Sequence, residues 1–201
     1  MVYFFVYSFC FWFCKILFRV KVIGRENIPR EGSFIFASNH VSYIDPPVLA
    51  MGCTYKRRPI FLAKRELFAG RFFHWLFVNS RCIPLNRDAA DISAIKLAIQ
   101  HIRKGDPLVI FPEGERSPDG TLQKGLPGMS LLASKTQIPI VPAYIINSDK
   151  VFSPIHKFGL PKVYLNIGKP IFFPKDKNAD YEEMTKKVMA AIQELKDGFK
   201  L

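Results

Sequence analysis

Short apolar segments alternate with helical patterns along most of the chain, and this alternation constrains the fold more than any other feature. The segments have the length of strands and cover residues 33–38, 59–63, 82–85, 107–111, 138–146 and 162–167. Strands separated by helices typically form a parallel sheet, so we predict an α/β fold: a single domain with a mainly parallel central sheet flanked by helices. Two prolines in 138–146 predict that this strand is interrupted or lies at a sheet edge.

Three segments have helical character. Isoleucines recur at helical spacing between Ile92 and Ile102, after Asp88, which we expect to be the N-cap. Residues 65–78 are rich in large apolar side chains, and an apolar stripe over 181–195 predicts a C-terminal helix. No internal repeat or long linker divides the 201 residues, which suit one domain.

The N-terminus has the character of a membrane contact. Residues 1–14 read MVYFFVYSFCFWFC without a charge, and Lys15, Arg19 and Lys21 follow. Fourteen helical residues extend about 21 Å, against a hydrocarbon core of about 30 Å. We therefore predict an N-terminal membrane-associated helix in residues 1–19, either interfacial or spanning, with a buried core helix as the alternative. The basic flank predicts that residues 20–201 remain on the cytoplasmic side.

Charge and cysteine content bound the partners. The chain has 29 Lys and Arg against 17 Asp and Glu, a net charge of +12, which favours anionic partners such as membrane surfaces, phosphorylated substrates, acidic carrier proteins or nucleic acid. No zinc spacing, basic helix or aromatic RNA-binding motif is present, so we expect no nucleic acid partner. The four cysteines lack metal-ligand spacing, so we expect reduced thiols and no metal site.

The first motif that could carry out chemistry is NHVSYIDP, residues 39–46, directly after a predicted strand. His40 and Asp45 are five residues apart, a spacing that suits a general base and the carboxylate that orients it. The alternative is a helix-capping aspartate beside a surface histidine.

The second motif is FPEGERS, residues 111–117, also at the end of a predicted strand. Glu113 can accept a hydrogen bond from a polyol hydroxyl, and Arg116 can clamp a phosphate with two N–H groups. The alternative is a polar turn in which these two side chains pair in solvent. Because ligand sites gather beyond the carboxyl ends of strands, both motifs are predicted to share the functional edge of one sheet.

A basic cluster precedes the aromatic segment 65–78. It comprises Lys56, Arg57, Arg58, Lys64 and Arg65. Two interpretations are open: a solvated charge run beside an ordinary core helix, or a membrane-facing rim that admits acyl chains and meets anionic lipid.

The two motifs, in this order and separation, resemble the glycerolipid acyltransferase family, and within it the 1-acylglycerol-3-phosphate acyltransferases. The resemblance covers about residues 20–170. Asn39, His40 and Asp45 match the N-H-x-x-x-x-D motif, and Arg87 matches the arginine of a second block. The matches to later blocks are Phe111 to Gly114, Arg116 and Ser117 of F-P-E-G-T-R-S, Lys124 and Gly125 of a following Lys-Gly pair, and Val141 and Pro142 of a fourth block.

The resemblance implies a direct acyl transfer without a cofactor. His40, oriented by Asp45, would deprotonate the acceptor hydroxyl, and the alkoxide would attack an acyl thioester in a ternary complex without an acyl-enzyme. The acceptor would be lysophosphatidic acid, the product phosphatidic acid, and the donor acyl-CoA or acyl-carrier protein. N–H groups at the helix start after His40 are candidate oxyanion donors. The expected substrate-binding residues are Arg87, Arg116 and Lys124 for the phosphate, Glu113 for the glycerol, and Gly114 in the same loop.

Two positions depart from the family pattern, and other functions stay open. Arg81 stands where the second block usually begins with Gly, which changes the loop or adds a phosphate contact. Glu115 stands where the third block usually has Thr, which leaves the acceptor open to another lysophospholipid or glycerol-3-phosphate.

The rival classes are a phosphate-ester hydrolase, which would need a metal cluster or a nucleophile, and a membrane-binding module without catalysis.

Overall fold

The computed structural model describes residues 2–53, 57–86, 91–152, 161–176 and 178–200. These residues form six α-helices and seven β-strands. The helices are α1 (Val2–Leu17), α2 (Asp45–Gly52), α3 (Arg71–Asn79), α4 (Ile92–Arg103), α5 (Gly128–Thr136) and α6 (Tyr181–Asp197). The strands are β1 (Lys21–Ile23), β2 (Ile35–Ser38), β3 (Ile60–Lys64), β4 (Cys82–Leu85), β5 (Leu108–Ile110), β6 (Ile140–Ile146) and β7 (Tyr164–Ile167).

One sheet joins the strands in the order β1-β7-β6-β2-β5-β3-β4. Every neighbouring pair within the described ranges is parallel except β6 with β7. At the centre, Ile35 of β2 lies opposite Leu108 of β5 and Ile140 of β6. The predicted α/β domain with a mainly parallel sheet is confirmed.

Side chains that alternate along β2 bury the two faces of the sheet in two hydrophobic clusters. Phe34 and Phe36 pack into a cluster with side chains of α1 and α2. Ile35 and Ala37 pack into a second cluster with side chains of α4, α5 and α6. Because residues that alternate along a strand face opposite sides, the short run 34–37 is apolar throughout, and helices cover both faces.

The prediction that the proline-containing strand is interrupted or at an edge is wrong, because β6 lies between β2 and β7. Between the Ala143–Ile167 pair and an isolated bridge from Ile140 to Ile171, three residues face two, which is a β-bulge. Pro142 sits at this bulge, and its carbonyl accepts the Gly168 N–H over 2.8 Å. The absent proline N–H therefore removes no bond of the regular ladder.

Two helix predictions need correction. The segment 65–78 is two elements, a 3-10 turn over Arg65–Phe68 and then α3, because Gly70 adopts a φ of +82° between them. The N-cap of α4 is Asp91, whose carboxylate accepts the Ala94 N–H over 3.0 Å. Asp88 lies outside the described residues, and the helix begins at Ile92.

Helix α1 packs one side on the domain and leaves the other side open. Cys14 lies in the cluster beneath α1 and α2, and the hydroxyl of Tyr7 donates to the Cys53 carbonyl over 3.3 Å. The opposite side exposes large apolar side chains, which excludes a wholly buried helix. These are Phe4, Phe5, Phe9, Trp12, Phe13, Ile16 and Leu17. Across the described part of the chain, no helix combines the length and the apolar character needed to cross a bilayer.

Candidate active site

The two motifs meet at the carboxyl edge of the parallel strands, as predicted. β2 ends at Ser38 and β5 ends at Ile110, and the two strands pair in parallel. The segments that follow are joined by two hydrogen bonds that involve the backbone of His40. The N–H of His40 donates to Oε1 of Glu113 over 2.8 Å, and the carbonyl of His40 accepts the Ser117 N–H over 2.8 Å.

The side chain of Asn39 continues the hydrogen bonding of the sheet beyond β2 and so fixes the point at which the backbone leaves the sheet. Its Oδ1 accepts the Ile145 N–H over 2.7 Å, and its Nδ2 donates to the Ile145 carbonyl over 3.1 Å. The buried amide therefore replaces a residue of β2 in the ladder with β6, because an amide supplies both a donor and an acceptor. The backbone is then free to leave the sheet at His40.

His40 and Asp45 form the pair that their spacing predicts. The Nδ1 atom of His40 lies 2.9 Å from Oδ2 of Asp45, which is fully buried. The same oxygen accepts the N–H groups of Val41 and Ser42, each over 2.7 Å. A carboxylate accepts only, so this contact favours the tautomer with the proton on Nδ1 and the lone pair on Nε2.

Phe111 supports the imidazole from its face. The two ring centroids lie 3.9 Å apart with an interplanar angle of 17°. Asp45 fixes the edge of the ring and Phe111 fixes its plane, so the imidazole is held in two directions. The motif alone predicts no separate role for Phe111, but its position as the first residue after the strand β5 points to the site.

Of the N–H groups in the turn after His40, those of Tyr43 and Ile44 stay candidate oxyanion donors, and this role remains a prediction. The N–H groups of Val41 and Ser42 are bound to Asp45, and Pro46 and Pro47 have none. The N–H groups of Val41 and Ser42 hold the Asp45 carboxylate beside the imidazole of His40.

Glu113 is a buried clamp between two segments. Its Oε1 accepts the His40 N–H and its Oε2 accepts the Gln123 N–H, both over 2.8 Å. Burial raises the pKa of Glu113 above its ordinary value of 4.5, against the opposing effect of the two N–H donors. A solvent-exposed pairing with Arg116 is therefore excluded, and contact of Glu113 with a glycerol hydroxyl stays a prediction.

Gly114 and Gly125 let the loop return to the site. Gly114 has a φ of +80°, and a Cβ there would lie 2.7 Å from Cδ1 of Leu126. A Cβ on Gly125 would lie 2.7 Å from Cγ2 of Thr185 in α6. Lys124 lies between these points, exposed, and next to the residue whose N–H binds Glu113.

Arg116 lies exposed at the rim and stacks on Tyr43 of the first motif. Its guanidinium carbon is 3.7 Å from the ring centroid, and its Nη2 donates to the Tyr43 hydroxyl over 2.9 Å. Arg116 thus contacts the turn that follows His40, and its binding of a phosphate stays a prediction. Arg87, the other arginine predicted for the phosphate, lies outside the described residues, so its role stays a prediction.

Arg81 and Cys82 lie at the opposite edge of the sheet, where β4 begins. Arg81 has a φ of +63°, which accounts for the glycine usual at this position, and it pairs with Asp106. The same Asp106 oxygen lies 2.8 Å from Nδ1 of His101. Arg81 therefore keeps a backbone conformation that glycine favours, and its side chain pairs with Asp106 away from the two motifs. Burial raises the pKa of the Cys82 thiol to about 12, so this thiol is unsuited to nucleophilic attack.

Comparison with known proteins adds to this geometry. A family model described as Acyltransferase matches residues 19–146, which include both motifs and the Val141-Pro142 pair. The chain belongs to the acyltransferase family. The match begins after α1 and ends with β6, so it includes both motifs and every described strand of the sheet except β7.

Relatives of this acyltransferase-family chain have related names. It is 29% identical to the 1-acyl-sn-glycerol-3-phosphate acyltransferase of Bacillus subtilis, over 94% of this chain and 92% of the relative. It is also 29% identical to a chloroplastic enzyme of the same name from Brassica napus, over 79% of this chain, but it spans only 46% of that relative. The crystal structure of the 1-acyl-sn-glycerophosphate (LPA) acyltransferase PlsC from Thermotoga maritima matches with a TM-score of 0.75 and 28% identity, covering 99% of this chain and 83% of that one.

Proposed function

We propose that this protein transfers a fatty acyl group from a thioester donor to the sn-2 hydroxyl of 1-acylglycerol-3-phosphate, giving phosphatidic acid. The observation that carries the proposal is the His40–Asp45 pair, 2.9 Å apart, at the sheet edge shared with the FPEGERS loop. The names of the relatives support the same reaction, and the donor is acyl-CoA or an acylated carrier protein.

His40 acts as the general base. Its Nε2 takes the proton of the sn-2 hydroxyl while the oxygen attacks the carbonyl carbon of the thioester. Asp45 stabilises the imidazolium that forms and holds the ring in place. The tetrahedral intermediate then collapses, the carbon–sulfur bond breaks, and the imidazolium returns its proton to the thiolate. One proton moves in each direction, and the acyl group is never bound to the protein.

The acceptor phosphate binds beside the base. Arg116 and Lys124 are exposed cations on the segments that Glu113 ties to His40. Arginine binds a phosphate through two parallel N–H bonds, and lysine adds a point charge. Arg87 belongs to the same set by its motif. The phosphate is only a few bonds from the sn-2 hydroxyl, so a single compact site holds both.

The apolar surfaces of α1 and α3 support the proposal that the protein attaches to a membrane. α1 contacts α3, which exposes Phe72, Phe73, Trp75 and Val78 beside the apolar face of α1. Exposed apolar patches of this kind suit insertion at a lipid interface, and aromatic rings favour the headgroup level. Lys15 and Arg71 add positive charge for anionic headgroups. We place the protein at the cytoplasmic face of the membrane, where both substrates are available.

An acceptor panel tests the proposal. Purified protein on anionic phospholipid vesicles receives one defined acyl-CoA, or the matching acyl-carrier protein, with lysophosphatidic acid, glycerol-3-phosphate, lysophosphatidylcholine or 1-acylglycerol. We expect phosphatidic acid from lysophosphatidic acid at the highest kcat/KM. Faster acylation of another acceptor would replace the proposed substrate. No acyl transfer to any acceptor on vesicles that bind the protein would favour the membrane-binding module.

A further inference from the structure

Tyr43 has no part in the mechanism described above, although it stands between His40 and Asp45 in sequence. It is 66% exposed, and within the described residues its side chain forms no hydrogen bond with His40 or Asp45. Its contact in the structure is the guanidinium of Arg116, which lies across the ring face.

The contact with Tyr43 engages only part of the Arg116 guanidinium and leaves other N–H groups available. The guanidinium carbon of Arg116 lies over the ring, 3.7 Å from the centroid, and the Tyr43 hydroxyl accepts one N–H of Nη2 over 2.9 Å. Among the described residues, Arg116 has no other side-chain partner. A guanidinium carries five N–H groups in its plane, so an edge remains for two parallel bonds to a phosphate.

Tyr43 and Arg116 each lie next to a residue whose backbone N–H is hydrogen-bonded to His40 or to its partner Asp45. Tyr43 follows Ser42, whose N–H binds Asp45, and Arg116 precedes Ser117, whose N–H binds the His40 carbonyl over 2.8 Å. Closing the stack therefore sets the position of the guanidinium relative to the imidazole. In the proposed acceptor, the phosphate and the reacting hydroxyl are separated by a short, fixed number of bonds, so this position matters for the reaction.

We propose that Tyr43 is a positioning residue that holds Arg116 ready for the phosphate of the acceptor. This inference rests on the proposed function. An exposed arginine loses rotamer freedom when it binds a phosphate, and the stack has already removed part of that freedom. Tyr43 thereby tightens binding of phosphate-bearing acceptors and favours them over acceptors without a phosphate.

A double-mutant cycle tests this role. The kcat and KM for lysophosphatidic acid are measured for the wild type, Tyr43→Ala, Arg116→Ala and the double variant, with Tyr43→Phe as the conservative change. A cation–π contact at an exposed site corresponds to about a two- to fivefold effect. We expect Tyr43→Ala to raise KM by that factor with kcat nearly unchanged, and Tyr43→Phe to retain most of the wild-type affinity. In the Arg116→Ala background, Tyr43→Ala should have no further effect.

A second acceptor provides the control. With 1-acylglycerol, which lacks the phosphate, Tyr43→Ala should leave KM unchanged, so the preference for lysophosphatidic acid falls. An unchanged KM for lysophosphatidic acid, or effects of Tyr43→Ala that add fully to those of Arg116→Ala, would overturn the proposal. A lower KM would also overturn it, because the stack would then withhold Arg116. Wild-type protein that does not acylate lysophosphatidic acid would instead overturn the proposed function, and this inference with it.

Discussion

The backbone N–H of His40 donates to the buried carboxylate of Glu113 over 2.8 Å. The second carboxylate oxygen binds the N–H of Gln123 over 2.8 Å, so one side chain fixes the base and the loop that leads to Lys124. The glutamate of the FPEGERS motif therefore acts on the imidazole through the backbone. Its effect on catalysis should appear in the position of the base, whether or not it also meets the acceptor.

We expect Glu113→Gln to lower kcat and leave the KM for lysophosphatidic acid nearly unchanged. An amide has one acceptor oxygen, so one of the two N–H groups loses its partner, at a cost of about 1–3 kcal/mol in the free energy of unfolding. Glu115→Gln is the matched control, because Glu115 is exposed in the same loop, and its stability should change by less than about 0.5 kcal/mol. A large rise in KM for Glu113→Gln, without a loss of stability, would instead indicate direct contact with the acceptor.

The pH dependence of stability provides an independent check on Glu113. Its pKa is raised in the folded protein, so the protonated form favours folding more than the ionised form does. The free energy of unfolding of the wild type, relative to Glu113→Gln, should fall as pH rises from below 4.5 through the raised pKa, and then level off. Denaturant titrations over this range measure the difference. A rise with pH would show that the two N–H donors outweigh burial.

Asp45→Asn should reduce kcat by at least about 10²-fold, because the neutral amide no longer stabilises the imidazolium. The substitution keeps an oxygen for the N–H groups of Val41 and Ser42, so we expect the variant to fold. Initial rates at saturating acceptor, with thermal unfolding of the same preparation, measure both effects. A kcat within twofold of the wild type would remove Asp45 from the mechanism.

Arg81→Gly should leave the KM for lysophosphatidic acid unchanged, because Arg81 lies at the sheet edge opposite the site. Glycine relieves the left-handed backbone but loses the pairing with Asp106, and the two effects are each about 1 kcal/mol. Denaturant unfolding should therefore show a net change below about 1 kcal/mol. A rise in KM comparable to that of Arg116→Ala would place Arg81 at the phosphate.

Substitution on the open face of α1 tests the membrane surface better than deletion of the helix. Deletion would remove Cys14 from the core, whereas Phe5 and Trp12 are 64% and 59% exposed. We expect Phe5→Ser with Trp12→Ser to weaken binding to anionic vesicles at least about tenfold. Phe172→Ser is the control, because Phe172 is 72% exposed outside α1 and α3 and should not affect binding. Unchanged cosedimentation of the double variant would contradict the assignment.

The arrangement of the sheet and the meeting of the two motifs could be predicted, because they depend on local patterns. Short apolar segments define the strands, and parallel strands bring their carboxyl ends to one edge. The position of Pro142 inside the sheet could not be predicted, because the bulge that accommodates it is made by residues 168–170 of a later segment. Gly70 is a local signal for the break within residues 65–78. The apolar pattern of this segment nevertheless favours the prediction of one continuous helix.

The contacts that complete the site depend on residues distant in sequence. Glu113 binds backbone N–H groups 73 residues before it and 10 residues after it, and no spacing rule predicts such contacts. The stack of Phe111 on His40 and that of Arg116 on Tyr43 likewise join the two motifs across the sheet edge. The motif identifies which residues matter, whereas the fold determines which of them meet.

The rate of phosphatidic acid formation by His40→Ala is the most direct test of the account. Wild type and variant are compared on the same vesicles, at equal amounts of bound protein, with lysophosphatidic acid and one acyl thioester at saturation. Removal of the general base should lower kcat by about 10²-fold or more, with the thermal unfolding transition retained. Turnover by His40→Ala at the wild-type rate would contradict the assignment of the imidazole as the base.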